Sequence, residues 1–192
     1  MLRLTLILLA VLGCSLLGNF AQAQVTIVYP VPPATKLESF DTNIATVIIK
    51  ATTEIGSVAV NTGVVSVRCR EITDTASGRK EQGIAMELTQ RPQARDRLLI
   101  DYDEIDSLLN ALHYLNTLNI SVTPLNAFDA EYTTKGGLRI AAFGTRPNGG
   151  VQFTVRDART NSAPVLFSRD DMSRFGSLIN QAKGKLDSLR GD

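Results

Sequence analysis

Hydrophobic and polar residues alternate with period two along much of the first half of the chain. Val47, Ile49 and Ala51 alternate with Thr46, Ile48 and Lys50. Val65, Val67 and Cys69 alternate with Ser66, Arg68 and Arg70, and Ile84, Met86 and Leu88 with Ala85, Glu87 and Thr89. Side chains on a strand point to opposite faces in turn, so this pattern predicts strands with one buried face. Leu98-Leu99-Ile100 makes a fourth short strand, and Thr75-Ala76-Ser77-Gly78 and Gln90-Arg91-Pro92 carry turn chemistry. The period then changes. Ile105, Leu108, Leu109, Leu112 and Leu115 share one stripe at helical spacing. Asp103 stands where an N-cap belongs and Asp106 follows three residues later, a box-like helix start that also suits the helix dipole.

The second half repeats the order. Phe128 to Thr134 reads as a strand. Lys135-Gly136-Gly137 turns into Leu138 to Phe143, and Pro147-Asn148-Gly149-Gly150 turns into Val151 to Arg156. Val165-Leu166-Phe167 is the fourth strand. The last helix carries Met172, Phe175, Leu178, Ile179, Ala182 and Leu186, with Asp170 as its expected N-cap. A shift of 67 residues lays Leu98-Leu99-Ile100 on Val165-Leu166-Phe167, Asp103 on Asp170, Leu108 on Phe175 and Leu112 on Ile179. The expected fold is α+β: two antiparallel β-β-β-β-α units in tandem, residues 44–120 and 121–192, related by a pseudo-twofold and packed as one compact body. A kinship-free reading, in which a meander and helix arose twice, gives the same class.

The N-terminus differs. Arg3 precedes a long apolar run from Leu4 to Leu17, and Ala21-Gln22-Ala23 supplies the small residues of a cleavage site. Residues 1–23 are therefore expected to be a secretory signal peptide cut after Ala23, and the run is too short for a retained membrane helix. Val11-Leu12-Gly13-Cys14 offers a minor alternative, lipidation at Cys14. Residues 24–43 form an extended arm, with Val25 to Tyr29 strand-like and broken by Pro30, Pro32 and Pro33.

Composition narrows the chemistry. Removing 23 of 192 residues leaves 169, and removes one of the 20 basic residues and none of the 19 acidic ones. The remaining chain is neutral, so no global field draws in nucleic acid or anionic lipid. Only Cys69 remains after Cys14, which excludes an intramolecular disulfide. Cys69 falls on the apolar side of its strand, where a thiol behaves as a small hydrophobe. His113, the one histidine, lies off its helix's apolar stripe, which excludes a multi-histidine metal site. Asp101-Tyr102-Asp103-Glu104-Ile105-Asp106 fails the EF-hand pattern, since Ile105 and Asp106 occupy its fifth and sixth positions. No cofactor, metal or catalytic set is indicated. The glycine pairs sit between strands and cradle no phosphate. Asn119-Ile120-Ser121 is a glycosylation sequon, meaningful in a eukaryotic host.

The most suggestive set is arginine. Arg68, Arg70, Arg139 and Arg156 all point away from the apolar face of their strands. As a strip they would grip phosphate, sulfate or carboxylate through bidentate guanidinium contacts. The competing reading is cross-strand pairing with Glu54, Glu71, Glu87, Glu131 or Asp157 on a solvated face.

The tandem β-β-β-β-α order resembles that of the Whirly and Pur single-stranded nucleic-acid binders. The resemblance lies in element order alone; neither family's signature motif is present, so no binding residue is carried over. Neutral charge and the signal peptide weigh against nucleic acid. The sequence thus points first to a secreted or periplasmic, non-catalytic binding or structural protein. Its expected partner is another protein or an envelope component, through exposed sheet edges and the arm, which also predicts homo-oligomers. An anionic-ligand binder using the four arginines is the alternative, and a secreted hydrolase using Asp101 with Asp103 or Glu104 is a weaker one.

Overall fold

The computed structural model describes residues 33–40, 44–90, 95–146 and 149–191. The signal sequence with its cleavage site at Ala23, Cys14, the run Val25 to Tyr29, and the turn residues Arg91, Pro92, Pro147 and Asn148 lie outside the described residues.

Two four-stranded meanders follow one another. The first comprises β1 (Ile48–Val60), β2 (Gly63–Asp74), β3 (Lys80–Gln90) and β4 (Arg95–Asp101); the second comprises β5 (Ala127–Thr133), β6 (Leu138–Thr145), β7 (Val151–Asp157) and β8 (Val165–Phe167). Each sheet keeps sequence order, and neighbouring strands are antiparallel. A short helix, α1 (Lys36–Ser39), precedes the first sheet, α2 (Ile105–Thr117) follows it, and α3 (Arg169–Arg190) follows the second. The α+β class and its tandem units are those that the alternation predicts.

The helices are exchanged between the halves. α2 packs against β5 and β6, whereas α3 lies across β1, β2 and β3 and reaches β7 and β8. Leu178 of α3 sits over Gly56, where an added Cβ would stand 2.9 Å from Leu178 Cδ2. The Cys69 thiol donates to the Ala182 carbonyl at 3.4 Å. Val65, Val67, Ile84, Met86, Leu98 and Ile100 from the first sheet join Leu138, Ile140, Phe153 and Val155 from the second. With both helical stripes they form one buried cluster. Ile105, Leu108, Leu112 and Leu115, and Met172, Phe175, Ile179, Ala182 and Leu186, supply those stripes as their spacing requires.

Three expectations change. β1 is longer than the alternation suggests, and the apolar residues at its start are exposed: Ile49 is 55% exposed and Val47, just before the strand, 67%, because the helix lying on this face covers β1 further along, at Val58. Asp103 does not cap α2. The chain enters that helix through a 3-10 turn, Tyr102–Glu104, and the Asp103 carboxylate instead meets Lys36 Nζ at 2.9 Å, which holds it below the usual carboxylate range. Asp170 does not cap α3 either. Ser168, in extended conformation, accepts the Asp171 N–H, while the Asp171 carboxylate accepts the Ser168 N–H at 3.0 Å. That reciprocal box satisfies two orphan donors, and Asp170 falls inside the first turn.

α1 covers part of the first sheet's outer face. Leu37 and Phe40 bury themselves there on Ile72, with Ile48 and Leu99 alongside. Asp101 fixes this helix by accepting the N–H groups of Lys36 (2.8 Å) and Leu37 (3.1 Å). The halves also meet through Arg159, which reaches Asp157 Oδ1 at 3.3 Å, Glu38 Oε1 at 2.7 Å and the Arg97 carbonyl at 3.3 Å.

Candidate functional site

Strand register builds a hollow on the outer face of the first sheet. Arg68 stands opposite Ala85, and Ala85 opposite Leu99; Glu87 stands opposite Arg97, and Thr52 opposite Arg70. Residues paired in this way share a face. Their neighbours Val67, Cys69, Met86, Leu98 and Ile100 are drawn into the core, so these residues must point outward. Ala85 is the shortest side chain of its row. Its methyl group leaves a gap between the long arginines of β2 and the Leu99 side chain of β4, and α1 closes one wall with Glu38.

The resulting hollow has a volume of about 380 Å³. Lys50, Arg68, Arg70 and Arg97 line it together with Glu38 and Glu87, over Ala85 and Leu99. Arg68 Nη1 lies 3.4 Å from Glu87 Oε2. Glu38 is engaged from outside the hollow by Arg159 and also accepts the Ala34 N–H at 2.9 Å. Burial works against the charge of Arg159, yet Asp157 and Glu38 together hold its guanidinium above its ordinary range. Arg70 Nε is buried and has no hydrogen-bond partner among the described residues. A buried donor of that kind is costly unless something accepts from it.

The four sequence-predicted arginines do not form one strip in this hollow. Arg68 and Arg70 line it. Arg139 and Arg156 stand opposite each other on β6 and β7 of the second sheet, where Arg139 Nη1 lies 3.5 Å from Glu131 Oε2. Arg68 and Arg139 thus each take one of the expected acidic neighbours. The expected pairings of Glu71 and Asp157 go elsewhere: Glu71 accepts from Gln82 and pairs with Lys80, and Asp157 pairs with Arg159. Lys50 and Arg97 join the hollow although the sequence reading passed over them. Their signal was available in the alternation, since Arg97 precedes buried Leu98 and lies opposite Glu87.

The candidate carboxylates are placed by structural contacts. Asp101 holds the start of α1, Asp103 holds Lys36, and Glu104 accepts the Lys135 N–H at 2.8 Å; none of them lines the hollow. His113 is exposed on α2, and Cys69 is buried with its thiol pushed up by desolvation. Among the described residues, no three His, Cys, Asp or Glu side chains gather as a metal site, and no helix is long and apolar enough to cross a membrane.

No protein-family model matches the chain, and no curated protein matches it significantly. One solved structure, the crystal structure of WHY1 from Arabidopsis thaliana, aligns over 73% of this chain and 92% of that chain, at 11% identity and a TM-score of 0.33. A likeness that distant carries neither fold nor function over to this chain.

Proposed function

We propose that this chain is an extracytoplasmic, non-catalytic binding protein that takes an anionic ligand on the outer face of its first sheet. The observation that supports this reading is the grouping of Lys50, Arg68, Arg70 and Arg97 around one hollow, with the buried Arg70 Nε lacking an acceptor among the described residues. Guanidinium groups at such a spot suit phosphate, sulfate or carboxylate, which fill the missing acceptor role and match the fork geometry. The test is calorimetric titration of the protein with inorganic phosphate and sulfate across a salt series. Affinity falls as salt rises and is lost in Arg68→Ala/Arg70→Ala; salt-independent binding, or a double variant that binds as well as the parent, refutes the reading.

A second reading rests on the start of β1, an edge strand among the described residues, where Ile49 and the preceding Val47 are exposed. Such edges accept another strand, which favours a protein or envelope partner or a second copy. Light scattering of the parent and of Ile49→Lys checks this: an assembly that persists unchanged in the variant, or a parent that is monomeric throughout, excludes the edge as the contact.

A further inference from the structure

The hollow's shape restricts what can occupy it. This step rests on the anion-binding reading and concerns the class of ligand. We propose that the ligand is a small organic phosphate or similarly dianionic acid, its charged end between Arg68, Arg70 and Arg97 and its carbon body over Ala85 and Leu99.

Three observations lead there. The first is extent. A polyanion needs a cationic track, and among the described residues the basic side chains lining the hollow are Lys50, Arg68, Arg70 and Arg97. α1 and Glu38 close one wall and Glu87 stands at the rim, while Arg139 and Arg156 lie on the other sheet with Glu131 beside them. The second is size. A volume of about 380 Å³ lies at the lower end of the range that encloses small molecules. The third is the floor. Beneath the guanidinium groups lie the Ala85 methyl and the Leu99 side chain, which offer carbon contact to an apolar body and nothing to a free inorganic ion. Arg159 assists by engaging Glu38, so that one of the two acidic side chains in the lining is neutralised from outside.

Ala85 is the size gate in this account. It is half-buried and faces outward from β3, so a larger side chain fills the hollow without entering the core. The experiment titrates the parent, Ala85→Leu and Arg68→Ala/Arg70→Ala with phenyl phosphate and with inorganic phosphate, and adds heparin as a polymeric competitor. Ala85→Val, whose β-branch suits a strand, repeats the test if the leucine variant melts early. The parent is expected to bind phenyl phosphate about tenfold more tightly than inorganic phosphate, the gain from burying part of one ring. Ala85→Leu loses that preference while keeping inorganic phosphate within about twofold of the parent, a difference too small to register as a lost contact.

If the arginine pair abolishes binding but phenyl phosphate gains nothing over inorganic phosphate, or Ala85→Leu is indifferent, the ligand class is wrong and the anion site stands. If heparin binds and phenyl phosphate cannot displace it, the small-ligand assignment is overturned in favour of a polymer. If the arginine pair changes nothing, both the ligand class and the anion reading fall.

Discussion

Removing α3 is expected to unfold the first sheet, although that sheet lies in the other half of the chain. The perturbation is a chain ended after Ser168. In the intact protein Met172, Phe175, Ile179 and Leu186 are all buried, and the helix carrying them lies on β1, β2 and β3. Burying one such side chain stabilises by about 1.5–3 kcal/mol, so the four together contribute about 6–12 kcal/mol. Domains of this kind are stable by about 5–15 kcal/mol in total, so the loss is comparable to the whole. The assay is thermal melting by circular dichroism with dye binding to exposed apolar surface. The truncated chain should show no cooperative transition and strong dye binding, and a peptide spanning 168–191 should restore part of the transition. Phe175→Ala gives a graded version: its ring meets Phe167 edge-on at 5.9 Å, and the truncation should cost about 3–5 kcal/mol. That corresponds to a drop in Tm of about 6–20 °C for a chain of this size. A truncated chain that melts cooperatively near the parent's Tm would refute the helix exchange as a source of stability.

Other perturbations address single contacts. Asp74 accepts from Thr46 Oγ1 at 2.7 Å, Ser77 Oγ at 2.8 Å and the Ala76 N–H at 2.9 Å, which lowers its carboxyl to about 2. Its folded value lies below the unfolded one of about 3.9, so its contribution is complete above pH 4 or so and lost as pH falls toward about 2. Asp74→Asn should flatten the melting curve in that window, which an acid titration of Tm reads directly. Ser168→Ala removes the α3 capping box and should cost about 1 kcal/mol in urea unfolding. Gly136→Ala places a Cβ 2.0 Å from the Leu99 carbonyl oxygen, a backbone atom that cannot swing away; the expected loss is about 1–3 kcal/mol by the same urea assay.

Period and stripe made the elements legible. β2 alternates from Gly63 to Arg70 and β3 from Ile84 to Gln90, since there one face meets the core; the alternation breaks near Ile72, where α1 covers the other face. β1 misled because Val47 and Ile49 are apolar yet lie beyond the reach of α3, and alternation carries no record of what lies opposite. The caps failed for a related reason. Asp103 and Asp170 occupy equivalent places in the repeat, but Asp103 is claimed by Lys36, 67 residues away, and Ser168 competes locally for the start of α3. Arg68 and Arg70 were visible as an outward pair, and the hollow around them was not, because it depends on the register that sets Ala85 between Arg68 and Leu99. Arg159 could not be read at all from spacing, since its partners come from α1, β4 and β7.

The exchange of helices also sets an order in time. Every strand of the first sheet leaves the ribosome before α3, the helix that covers it, so that sheet waits uncovered while the second half is made. The cover over the first sheet is completed only when the last helix has been made. Any product cut short before residue 169 lacks that helix and presents an apolar sheet face to chaperones and proteases.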